Sequence, residues 1–202
     1  MIAVNNFEDF AYMFNKLKDK RELFAFLLFD DRESHESIKR YATRSFKWLD
    51  SLAIRAKIFF FAFVPFDHES GSSNPSPRVA SLFGIDPNRL PGIVLFTMLD
   101  TKDGAEDSTY YPLKSELFEK DPTQVEKVFA DLFTEITHCT ASGLKSDQLL
   151  REVKYRVESI QRREKMRPIA QYFLELGETA IAIPKDFLSN IGAAFAQAAA
   201  GK

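Results

Sequence analysis

A single cysteine, Cys139, occurs in 202 residues. No disulfide can therefore close within the chain, and neither a cysteine-rich zinc site nor a thiol pair is available. Surplus charge is missing too. Lys and Arg total 27 against 29 Asp and Glu, a net charge of -2, so no global basic field exists to hold a polyanion. Long apolar runs are absent as well: the longest, Ile58 to Val64, falls far short of the roughly 20 residues that span a bilayer. The opening MIAVNNFEDF has no basic stretch followed by an apolar one, as a secretory signal would. These absences predict a cytoplasmic protein in a reducing compartment that binds neither nucleic acid nor membrane. What is present, 45% hydrophobic residues with 20 phenylalanines, suits one globular domain and an appendage.

Apolar spacing sets the order of elements. Phe7, Phe10, Ala11, Phe14 and Leu17 recur at steps of three and four after Asn5 and Asn6, which predicts a capped amphipathic helix. Leu23 to Phe29 then runs apolar without alternation and stops at Asp30-Asp31, the pattern of a strand covered on both faces. One helix is predicted from Glu36 to Ala56 and a second buried strand from Lys57 to Val64, giving two parallel strands joined by a crossover. After a Gly/Ser/Asn/Pro-rich loop, a short helix is expected from Pro77 to Phe83, a strand from Ile93 to Leu99, and a hairpin partner from Thr109 to Leu113. A last helix, Pro122 to Ile136, has Asp121 as its cap. The body is expected to span 1–143. Residues 144–202 read as a helical extension with a Leu149, Leu150, Val153, Val157, Ile160 stripe, a break at Pro168, and further helical stretches at 169–176 and 189–201.

Two short motifs sharpen this order. Ser34-His35-Glu36-Ser37 follows the first long strand, and Leu90-Pro91-Gly92-Ile93 opens the third. Over residues 7–137 the pattern resembles the thioredoxin-like superfamily. The resemblance implies an α/β fold with a central mixed sheet flanked by helices, a cis peptide bond at Pro91, and a Ser-x-x-Ser in place of the family's Cys-x-x-Cys. Thiol–disulfide exchange needs a thiolate and a second sulfur, so dithiol oxidoreductase activity is excluded. Cys139, expected just after the last helix of the body, reads as a small buried apolar residue. What the resemblance leaves is a redox-inactive module that holds a protein partner, including an extended peptide gripped by backbone hydrogen bonds. The chain is also similar in outline to glutathione transferases. On that alternative Ser34 would stabilise the glutathione thiolate, and Asp107-Ser108 would meet the γ-glutamyl group.

Asp30, Asp31, Ser34, His35, Asp67, His68 and Pro91 all follow strand ends, where open α/β sheets place their ligands. Ser34, His35, Ser37, Asp67, Leu90 and Pro91 are therefore the candidate partner-binding residues there. Asp30, His35, Asp67 and His68 are metal-donor types without a tight ligand spacing, and no metal or cofactor is expected. Ser34 beside His35 names parts of a nucleophilic triad, yet sequence neighbours at a helix start point apart. Between Lys145 and Arg167, eight Lys or Arg face four Asp or Glu, a local surplus of +4, while residues 1–144 sum to about -5. Arg151, Lys154, Arg162 and Arg163 are thus candidates for docking an acidic partner surface. Only Tyr155 interleaves these charges, too little for a nucleic-acid stacking platform. Phe187, Leu188, Ile191 and Phe195 form a late apolar stripe that suits the body, a partner or a second copy in a homo-oligomer, alternatives the sequence leaves open.

Overall fold

Leu23–Leu28 forms β2, the central strand, with all of its side chains buried. The computed structural model describes residues 1–64, 73–97, 108–144 and 148–163. Around β2 lie β1 (Ile2–Val4), β3 (Phe59–Phe63), β4 (Gly92–Thr97) and β5 (Ser108–Pro112), in the sheet order β1-β3-β2-β4-β5. β1 and β2 both run parallel to β3, whereas β4 is antiparallel to β2 and β5 antiparallel to β4. Register opposes Phe26 to Phe61 on one side and to Val94 on the other. The chain is a mixed α/β protein with a five-stranded mixed sheet flanked by helices.

Strand alternation divides the core into two layers. Phe24, Phe26, Leu28, Phe61, Val94 and Phe96 face the layer that contains α1 (Phe7–Leu17) and α4 (Ser76–Leu82). There the Phe10 ring meets Phe26 and Phe61 edge-on at 5.0 and 5.2 Å. Leu23, Ala25, Leu27, Phe60, Ile93 and Leu95 face the other layer. That layer contains α2 (Glu36–Arg44), α3 (Phe46–Arg55), α5 (Ser115–Lys120), α6 (Pro122–Ala141) and a further helix, α7, at 148–163. Burying each such phenylalanine contributes about 1.5–3 kcal/mol, which is why continuous apolar strands hold the middle of the sheet.

The capped start of α1 agrees with its sequence, since the Asn6 side chain accepts from the Asp9 N–H at 2.9 Å. Asp121 caps α6 in the same way, accepting from the Gln124 N–H at 3.1 Å. Three differences from the sequence reading have physical causes. The single helix expected over 36–56 is two, α2 and α3, broken at Ser45 (φ -92°, ψ 12°). Just before the break the Thr43 hydroxyl donates to the Lys39 carbonyl at 3.0 Å, a back-bond that bends helices. β1 and α5 were not expected, being too short to show a period. Cys139 lies inside α6, which runs on to Ala141, rather than beyond the last helix. The first compact unit reaches Gln161, and the α7 stripe from Leu149 to Ile160 is buried in the same core as β2 and α6.

The second unit begins at Arg162, and only Arg162 and Arg163 of it are described, both helical and exposed. The expected helical stretches at 169–176 and 189–201, the late apolar stripe, Asp67 and His68 lie outside the described residues. Among the described residues no helix is long and apolar enough to cross a membrane.

Candidate functional site

Past Leu28 the chain leaves the sheet, and its first polar residue, Asp30, organises the turn. One carboxylate oxygen, Oδ1, accepts from the Arg32 N–H at 3.1 Å, an Asx turn. The other, Oδ2, takes the Arg32 Nε at 2.5 Å. His35 is 3% exposed, and its Nδ1 lies 2.5 Å from Asp30 Oδ1 and 3.2 Å from the Asp30 N–H. One nitrogen cannot donate to the first and accept from the second at once. A 2.5 Å approach to a carboxylate oxygen requires the proton between them, so Nδ1 donates to Asp30 and the N–H contact is secondary. The Arg32 guanidinium also reaches the Pro87 carbonyl, Nη2 donating at 3.1 Å, and so joins this turn to the 3-10 turn Pro87–Arg89. From the loop after β3, the Asn74 amide donates to the Phe29 carbonyl at 2.8 Å and to Asp31 Oδ1 at 3.2 Å, while its own carbonyl accepts from the Ser76 N–H at 3.0 Å. Three loops are thereby tied at the carboxyl end of β2.

Of the residues singled out in sequence, Asp30, Asp31 and His35 belong to this network, and Arg32 and Asn74 are members that sequence reasoning missed. Asn74 before Pro75 is a turn signal that could have marked it. Ser34 is exposed in the 3-10 turn Glu33–His35 and makes no contact in the network. Ser37 sits in the first turn of α2 with its hydroxyl buried and without a hydrogen-bond partner. Asp30 and His35, two of the four metal-donor candidates, are bound to each other.

The proline loop is closed rather than open. Leu90 and Pro91 are buried, and the peptide bond between them is cis. The Leu90 N–H donates to the Pro87 carbonyl at 3.2 Å, and the Pro91 carbonyl accepts from the Leu113 N–H at 2.9 Å. Next to them the Tyr110 ring packs on Gly92, where a Cβ would come within 2.3 Å of ring atoms. Its hydroxyl donates to the Arg89 carbonyl at 2.6 Å, and burial pushes the phenol well above its ordinary range. The Leu90 N–H and the Pro91 carbonyl are thus paired within the protein. Ser108, a candidate γ-glutamyl contact, begins β5, and Asp107 lies outside the described residues.

Cys139 is 1% exposed, and burial pushes its thiol up to about 11. Its neighbour Thr140 donates to the Ala56 carbonyl, just before β3 begins, so the sulfur sits toward the amino ends of the parallel strands, opposite Ser34 and Ser37. The basic helix stands apart from the strand-end network. Arg151 and Lys154 are exposed on α7, as are Arg162 and Arg163. Arg156 instead pairs with Glu135 at 2.8 Å and Glu152 at 2.7 Å. Tyr155 is 70% exposed beside Lys154, one turn from Arg151.

No model of a known protein family matches the chain, and no curated protein matches it in sequence.

Proposed function

We propose that the chain is a redox-inactive thioredoxin-like protein that works by binding another protein. The sheet order around β2, the cis bond ahead of β4 and the Ser34-x-x-Ser37 opening of α2 support that kinship. The lone buried thiol, held protonated, supports the absence of disulfide chemistry and a place in a reducing compartment, the cytoplasm. One observation carries the binding role: α7 buries one face in the core and turns Arg151, Lys154 and Tyr155 to solvent. Tyrosine and arginine supply much of the energy at protein interfaces, and the two cations select an acidic partner surface. We place the docking surface on α7 rather than at the proline loop, where the Leu90 N–H and the Pro91 carbonyl bond within the protein.

The test is a purified one-to-one complex between the full chain and the protein that accompanies it in its host. Arg151→Glu/Lys154→Glu/Tyr155→Ala is expected to weaken that complex about 100-fold while leaving the melting temperature unchanged. Unchanged affinity would remove α7 as the docking surface. A Ser34-dependent rise in melting temperature with millimolar glutathione would replace the reading with the transferase one.

A further inference from the structure

We propose that the amino-terminal end of the sheet binds a small phosphorylated molecule through Lys20, Arg21 and Lys57. A cavity of about 260 Å³ opens there, between the turn that enters β2 and the ends of α3 and α6. Lys20, Arg21 and Glu22 line it from the turn, and Lys57, Thr140 and Gly143 from the helix ends. Three cations thus share the wall with one carboxylate. Among the described residues none of the three has an ion-pair partner, since the salt bridges involve other groups. The Arg21 guanidinium lies 5.9 Å from the centroid of the Phe59 ring.

Cations at this end have a second potential duty, offsetting the negative ends of α3 and α6. Four of the carbonyls there are already engaged. Ala53 accepts from the Ile58 N–H at 3.1 Å, Ile54 from the Lys57 N–H at 3.1 Å, and Cys139 from the Ser142 N–H at 3.2 Å. Ala56 accepts from the Thr140 hydroxyl at 2.9 Å. These four carbonyls therefore do not call on Lys20, Arg21 or Lys57 for a hydrogen bond.

Lys57 separates the two explanations. α3 closes with Lys57 in the left-handed region at φ 55°, and α6 closes beside it with Gly143 at φ 73°. Glycine is the ordinary residue at that position, because a Cβ makes the conformation unfavourable. Lys57 accepts that cost at a position that lines the cavity. A phosphoryl group, carrying two charges and three acceptor oxygens, matches the donors gathered here: the forked guanidinium of Arg21 and the point charges of two lysines. The cavity is slightly smaller than the about 300–1,000 Å³ of drug-sized ligand sites, which fits a phosphoryl group with a small attached moiety.

The full chain is titrated with inorganic phosphate and with pyrophosphate at constant ionic strength set by chloride, read by phosphorus NMR line broadening and by thermal shift. The expected result is a saturable response that weakens about tenfold or more in Lys57→Gly and in Lys20→Ala/Arg21→Ala. Lys57→Gly should melt no lower than the parent, so that its loss of response is not a loss of fold. Saturation by pyrophosphate alone also supports the site and assigns it a ligand with more than one phosphoryl group. No saturable response to either anion, or an unchanged response in Lys57→Gly, overturns it.

Discussion

The two ends of β2 treat their charged residues in opposite ways. At the carboxyl end Asp30, Asp31, Arg32 and His35 are all engaged with groups of the protein itself. At the amino end Lys20, Arg21 and Lys57 have no ion-pair partner among the described residues. The first end carries the motif a reader of the sequence notices, yet Asp30, Asp31, Arg32 and His35 there are spent on tying three loops together. The second carries no motif and leaves its donors unspent. A polar cluster that satisfies itself stiffens a fold, whereas a ligand site has to hold donors in reserve.

The sharpest way to break this contrast is Asp30→Ala. That change removes the acceptor of the Arg32 N–H and the Arg32 Nε and the carboxylate partner of the His35 Nδ1, which keeps only the backbone N–H of position 30. A loss of about 2–3 kcal/mol is expected from urea unfolding. Ser34→Ala, at an exposed position outside the network, should change stability by no more than about 0.5 kcal/mol. A neutral Asp30→Ala would mean that the network does not bind the loops together, and would return this end to the status of an open site.

The same contrast explains what the sequence could reveal. Continuous apolar runs gave β2, β3 and β4, and the Asn6 and Asp121 caps gave the starts of α1 and α6, because burial and capping are local and periodic. The α7 stripe was legible for the same reason. His35 was legible as a candidate, but its partner Asp30, five residues away, was seen only as a possible ligand donor. Asn74 was legible only as a turn residue, and the bonds that bring Arg32 and Asn74 into the network were not, since they span 55 and 45 residues of sequence. Lys57 was invisible for another reason: nothing in its neighbours announces a left-handed backbone where a glycine would be usual.

A second test asks whether the amino end offers reactive sulfur as well as cations. Cys139, next to the cavity-lining Thr140, has its thiol pushed from the usual 9.0 up to about 11 by burial. The folded protein favours the neutral thiol, so the unfolded chain gives up this proton first and stability falls as pH rises from 9 to 11. Tyr41, pushed up to about 12 by burial, adds to the fall only above pH 10. The loss between pH 9 and 10, about 1 kcal/mol, is therefore expected to come mainly from Cys139 and to flatten in Cys139→Ala, measured by urea unfolding at each pH. A folded protein that reacts with an aromatic disulfide at pH 8 as fast as a free thiol would show this end to be open at the sulfur, and the contrast would have to be redrawn.

The smallest expected effect bears most directly on the reserve of charge. Lys57→Gly removes the Cβ from a φ of 55° and should stabilise the fold by about 1 kcal/mol. The gain is partly offset by the greater freedom of glycine in the unfolded chain. Lys57→Ala keeps the strained backbone and removes only the ammonium, so its stability should stay within about 0.5 kcal/mol of the parent. Both variants lose the same charge, and the difference between them isolates the backbone cost at this position. If both fall below the parent, the ammonium is serving the end of α3, and the amino end is as self-contained as the carboxyl end. If glycine rises while alanine stays level, lysine is kept at position 57 against the stability of the fold, as a residue held for a ligand would be.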